Sequence, residues 1–162
     1  MGRVVICRCG YVKLWHGVVH SSENSQQISD WYTFSHIIHG LAFYFILWTL
    51  ARRLSPATRF TIAVFIEAAW EVFENTPLVI NRYRAATIAL DYYGDSILNS
   101  MCDIAAMMVG WAIARRAPVW LSVVVVIAME LFVAAIIRDN LMLNIIMLIY
   151  PLEAIKQWQM GG

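Results

Sequence analysis

Two histidines three residues apart, His36 and His39, stand at the head of an apolar run. Acidic residues recur at helical spacing in two later runs, as Glu67, Glu71 and Glu74 and as Asp95, Asn99 and Asp103. Positions three or four apart share one face of a helix, so each set forms a polar stripe. An acidic side chain at mid-span costs about 2.5–3.5 kcal/mol on insertion scales, so the stripes are expected to face a polar interior. Imidazole and carboxylate together form the donor set of Zn, Mn and non-haem Fe sites, and an ion among them would offset the repulsion between like charges. On this reading His36, His39, Glu71 and Asp95 are the ligands of a Zn or Mn ion, with Asp103 supporting the ligands from behind or Glu74 acting as general base on a water. A plainer reading is also open. His39-Gly40 would be a helix-packing contact, the Glu stripe would pair with Arg82 and Arg84, and Ser96, Asn99 and Ser100 would supply hydrogen bonds between helices.

The elements that must carry these side chains follow from composition. Of 162 residues, 60% are apolar and 14% charged, against about 45–50% and about 25% in soluble domains. A soluble single domain has no means of hiding that much apolar surface, and the same figures exclude disorder, coiled coil and a disulfide-rich secreted module. With 12 Lys and Arg against 11 Asp and Glu, no basic excess exists to neutralise a phosphate backbone. The expected partner is therefore the lipid bilayer and not nucleic acid. The expected fold is an all-α membrane bundle.

Four stretches approach the ~20 apolar residues of a spanning helix: Phe34–Leu54, Ala57–Glu74, Ile97–Ala114 and Val119–Ile137. Ser55-Pro56, a long polar connection from Thr76-Pro77 to Gly94, and Ala117-Pro118 separate them, each a break signal. A fifth apolar stretch, Leu141–Tyr150, ends at Pro151. It suits a half-span, or a tilted crossing that runs on to Trp158, giving four to five spans in all. Arg52, Arg53 and Arg59 crowd the first turn-round and Arg115 and Arg116 the third, which places both in the cytoplasm. Residues 1–33 then form an extracytoplasmic segment and residues 34–158 the transmembrane domain. All three polar stripes fall in the same outer layer, with Glu130 of the fourth span in that half as well.

Smaller signals accompany these. Cys7 and Cys9 are spaced too tightly for a comfortable disulfide, and with His16 and His20 they fall one residue short of the usual zinc-knuckle spacing. Gly94-Asp95-Ser96 echoes a hydrolase nucleophile block but lacks the strand-to-helix turn that such a block needs. Trp15, Trp31 and Tyr32 fit an interfacial aromatic belt.

Several strings resemble an uncharacterised family of bacterial multi-pass inner-membrane proteins: the run from Cys9-Gly10-Tyr11 to Trp15-His16-Gly17, Ser21-Ser22-Glu23-Asn24-Ser25-Gln26, Asp30-Trp31-Tyr32 and Ser35-His36-Ile37-Ile38-His39-Gly40. The resemblance continues through Trp70-Glu71-Val72-Phe73-Glu74-Asn75 and Tyr93-Gly94-Asp95-Ser96-Ile97-Leu98-Asn99-Ser100. It implies an inner-membrane location with no assigned activity, and a further apolar helix ahead of the Cys-containing segment. More distantly, Asp30, His36, His39 and Phe43, then Glu67 and Glu71, then Asp95, Asn99 and Gly110 are similar to the layout of the VanZ-like membrane family, which is linked to the cell envelope. The second His and Glu74 depart from that layout. The function expected is that of an integral inner-membrane protein with a polar, metal-binding site at the extracytoplasmic end of the bundle, for which metal-dependent hydrolysis of a lipid or envelope substrate is one activity open to it. The alternative is a metal-free bundle that carries protons or a small ion, or that serves only as structure.

Overall fold

Three polar side chains set the helix boundaries. Ser55, Ser96 and Asn140 precede apolar runs, and each accepts a hydrogen bond from the backbone N–H three residues on, at Thr58, Asn99 and Leu143. Each thereby satisfies one of the orphan donors that open a helix. In the computed structural model, which describes residues 2–87 and 91–161, the described residues form seven helices and no strand. They are α1 (Thr33–Leu50), α2 (Pro56–Glu74), α3 (Pro77–Ala86), α4 (Ile97–Arg116), α5 (Val119–Ile137), α6 (Leu141–Ile149) and α7 (Glu153–Gln159).

The all-α membrane architecture expected from composition is present, with fewer clear spans than the sequence suggests. Among the described residues α1, α4 and α5 are long and apolar enough to cross a membrane. Helix α2 has 19 residues but carries Arg59, Glu67, Glu71 and Glu74, so its composition falls short although its length does not. Helix α6 has nine residues and α7 seven, parted at Pro151. At 1.5 Å per residue α6 reaches only about 14 Å, half of a bilayer core. The connection after Thr76, expected to be a polar loop, contains α3, which Pro77 starts from its first position. A proline there gives up only an N–H that the helix leaves unpaired in any case.

Helices α1 and α4 form the closest pair in the bundle, and two glycines make that approach possible. A Cβ on Gly40 would strike the Met107 carbonyl and the Trp111 amide, and one on Gly110 would strike the Ile37 carbonyl. Small residues at a helix crossing let backbones meet. Helix α2 packs on both α1 and α4. At the centre of the bundle Ala63, Met107 and Trp111 are buried among Phe43, Tyr44, Leu47, Phe60 and Val64. Helix α5 fully buries only Val133 and leaves most of its large apolar side chains exposed, as expected of a helix solvated by lipid.

Residues 2–32 form no helix and are bound to the start of α4. The amides of Ile97 and Leu98 donate to the carbonyls of Val4 and Val5, at 2.9 and 3.0 Å. Gln26 Nε2 donates to the Gly94 carbonyl at 2.7 Å and Ser96 Oγ to the Gln26 carbonyl at 3.1 Å. Asn99 Nδ2 donates to the Gln27 carbonyl at 3.0 Å. Gly94 has φ +91°, and a Cβ there would meet the Arg3 guanidinium. Cys7 and Cys9 are joined as a disulfide despite their spacing: a turn closed by Gly10 N–H to Cys7 C=O brings their Cα atoms to 5.1 Å, inside the range a disulfide spans. His16 instead contacts Ser21 Oγ at 2.8 Å, within its own loop.

Candidate metal site

Helices α1 and α2 run antiparallel, so residues later in α1 lie level with residues earlier in α2. His36 therefore faces Glu71 and Glu67, and His39, one turn deeper, faces Glu67. His36 Nδ1 lies 2.7 Å from Glu67 Oε1 and 3.5 Å from Glu71 Oε1. His39 Nδ1 is 3.1 Å from both oxygens of Glu67. The close α1–α4 crossing adds Asp103, whose Oδ2 is 3.8 Å from His36 Nε2. The two imidazole rings stand edge to face, 5.3 Å apart, and His39 stacks on Phe43.

Two sets of donor atoms, each within 4.8 Å of one another, share His36: His36, His39 and Glu67, and His36, Glu71 and Asp103. Their hydrogen bonding separates them. Glu67, fully buried, is satisfied by both histidines. Both carboxylate oxygens of Glu71 and Oδ1 of Asp103 are buried without a hydrogen-bond partner. Glu67, Glu71 and Asp103 thus bring three carboxyl groups into one desolvated cluster around His36, where any charge left without a partner is costly.

Of the residues singled out in the sequence, His36, His39, Glu71 and Asp103 come together, and Glu67 joins them. Depth arithmetic finds Glu67: it precedes Glu71 by four residues as His39 follows His36 by three, and antiparallel helices pair such steps. Asp95 lies outside both donor sets. Asn75 Nδ2 and the Tyr92 hydroxyl donate to it at 2.8 and 3.0 Å, and its own N–H donates to Asn75 Oδ1 at 2.7 Å. Burial pushes the Asp95 carboxyl up to about 6 against those hydrogen bonds. Asn99 is turned to the N-terminal segment. Glu74 lines the adjoining cavity, beside Tyr83.

That cavity holds about 430 Å³ and has two kinds of wall. His36, His39, Glu74, Asp95, Asp103 and the three tyrosines Tyr32, Tyr83 and Tyr92 line its polar end. Phe43 of α1, Ile66 and Trp70 of α2, and Leu141, Ile145 and Leu148 of α6 line its apolar flank. No Lys or Arg lines it among the described residues. Helix α6 is fixed at both ends. Glu130 accepts from the amides of Leu141 and Met142 at 3.1 and 3.0 Å, and Arg82 donates to the Leu148 carbonyl at 2.8 Å. Buried Asp139, just ahead of α6, accepts from Tyr32, Asn144 and Gln159, and its burial pushes it up to about 6.

Residues 1–161 match the model of a family described as a protein of unknown function, DUF2585. A UPF0314 protein of Sinorhizobium fredii is 60% identical over 161 residues, covering 99% of this chain and 82% of the relative. Those of Paracoccus denitrificans and Novosphingobium aromaticivorans are 57% and 54% identical, over 98% and 100% of this chain and 82% and 84% of theirs. No solved structure matches.

Proposed function

We propose, for a chain that belongs to the DUF2585 family, that it is a metal-binding protein of the bacterial inner membrane whose site acts hydrolytically on a lipid. The observation that carries this reading is that both carboxylate oxygens of Glu71 and Oδ1 of Asp103 are buried beside His36 without a hydrogen-bond partner. Glu67 holds the Nδ1–H of His36, which leaves Nε2 free on the side of Asp103. A carboxylate orienting a ligating histidine in this way is the usual outer support of a metal site. His36, Glu71 and Asp103 are the ligands, and His39 shares Glu67. Divalent Zn or Mn would offset the local negative charge. When bound it would lower the pKa of a water and polarise a carbonyl or phosphoryl oxygen. Glu74, on the cavity wall, is placed to take the proton. The apolar flank suits a hydrocarbon chain entering from the bilayer. With the Arg-rich turns inside, the site and residues 2–32 lie on the extracytoplasmic side, and α2 crosses with its carboxylates turned to α1.

The closed 2.7 Å contact between His36 and Glu67 favours one other reading, in which the cluster holds protons and no metal. Elemental analysis of protein purified without chelator separates the two. The metal reading expects about one Zn or Mn per chain, lost in His36→Ala and retained at reduced affinity in His39→Ala. A metal-free protein whose melting ignores both chelator and added ion supports the proton reading.

A further inference from the structure

A second groove lies away from the carboxylates, between the later half of α1, the end of α4 and the first half of α5. It holds about 520 Å³ and is floored by Ile38 and Leu41, with Ala42 and Trp48 on α1 and Ser122 and Val126 on α5 facing it. At one end it reaches Arg115. Trp48, on the same end, carries the Arg52 guanidinium over its ring at 5.1 Å. From Gly40 to Ile66 and from Ile104 to Met129 the chain has no Asp or Glu, while the same segments supply Arg52, Arg53, Arg59, Arg115 and Arg116. Among the described residues none of these guanidinia has a carboxylate within 4 Å. The fold therefore gathers positive charge at one mouth of an apolar slot and supplies no internal counter-ion.

The slot has the length of one leaflet. From Ile38 to Trp48 a helix rises about 15 Å, half of the ~30 Å hydrocarbon core. We propose that this groove binds an anionic phospholipid, with one acyl chain lying along α1 and α5 and the phosphate held by Arg115 and Arg52. Basic pockets between spanning helices recognise lipid headgroups in this way, because the guanidinium forks pair with phosphate at the depth where the chain enters the core. The slot opens at the Arg-rich end, opposite the histidine and carboxylate end, so this lipid is not the occupant of the first cavity. The proposal stands apart from the metal reading.

Thermal melting of the full chain in neutral detergent tests it, with phosphatidylglycerol, phosphatidylcholine of the same chains, and inorganic phosphate as separate additions. Phosphatidylglycerol is expected to raise the melting temperature, and the other two to leave it unchanged. Arg52→Gln with Arg115→Gln should weaken the phosphatidylglycerol response about twenty-five-fold in affinity, each cation being worth about five-fold. Ala42→Phe, which fills the slot and leaves both guanidinia, should abolish it. Should that variant fail to fold, Ser122→Leu fills the slot from α5, and lipid-free melting like that of the wild type certifies either one. Equal stabilisation by phosphatidylcholine, or a phosphatidylglycerol response that survives a filled slot, overturns the proposal. So does inorganic phosphate reproducing the shift, which would leave a charge site without a chain site.

Discussion

Replacing Asp103 by Asn has opposite effects with and without metal, and that reversal is what the site predicts. Asp103 Oδ1 is buried without a hydrogen-bond partner and Oδ2 stands 3.8 Å from His36 Nε2, beyond hydrogen-bond reach, so the carboxylate accepts no hydrogen bond from the side chains around it. Without metal the amide removes one of three carboxyl groups crowded into a desolvated cluster, and the variant should melt above the metal-free wild type. With metal the balance inverts. At ion concentrations 100-fold over Kd the wild type gains about 2.7 kcal/mol by mass action, about 5–10 °C for a chain of this size. Outer-shell partners are worth 10–100-fold in affinity, and loss of a ligand costs at least the upper end. A 100-fold weaker site at the same ion concentration gains only about 0.4 kcal/mol, or about 1 °C. The assay is a melting series of wild type and Asp103→Asn in detergent, in chelator and then with Zn or Mn restored. A wild type indifferent to chelator, with an Asn variant less stable throughout, would refute the reasoning and mark Asp103 as a partner of protonated His36.

Acid should stabilise the loops around the site. Asp95 and Asp139, each pushed up to about 6 by burial from the ordinary 3.8, bind a proton more tightly folded than unfolded. Each contribution is complete below about pH 4 and is lost as pH rises to about 6, at up to about 1.4 kcal/mol per pH unit. Asp139→Asn should flatten the pH dependence of melting over that window, and an unchanged slope would contradict the burial argument. Gly40→Ala sets a Cβ against the Met107 carbonyl and should cost about 1–3 kcal/mol by overpacking, read as a lower melting temperature. Its metal affinity should fall too, because the same crossing positions Asp103 against His36. Reporter fusions test the orientation: a fusion at Pro56 should report cytoplasm and one at Tyr83 the exterior, and an exported signal at Pro56 would invert the placement of the site.

The helices were legible because their signals are local. Val119–Ile137 matches α5 end to end, and α2 starts one residue before the expected Ala57, since proline and a side-chain cap act within one turn of where they stand. The three polar stripes were legible for the same reason: periodicity fixes which residues share a face of their own helix. Periodicity says nothing of how helices rotate against one another. That is why Glu67, placed in the stripe but not among the expected ligands, proves to be the carboxylate that both histidines share, while Asp95 is held by Asn75 and Tyr92. The rotation is set by the meeting of Gly40 with the backbone of Met107 and Trp111 and of Gly110 with that of Ile37, contacts between residues about 70 apart in sequence. The clamp of Val4, Val5, Gln26 and Gln27 on the start of α4 is likewise tertiary. Backbone carbonyls of an irregular segment accept those hydrogen bonds, and a carbonyl looks the same whichever side chain it carries, so no residue type announces it.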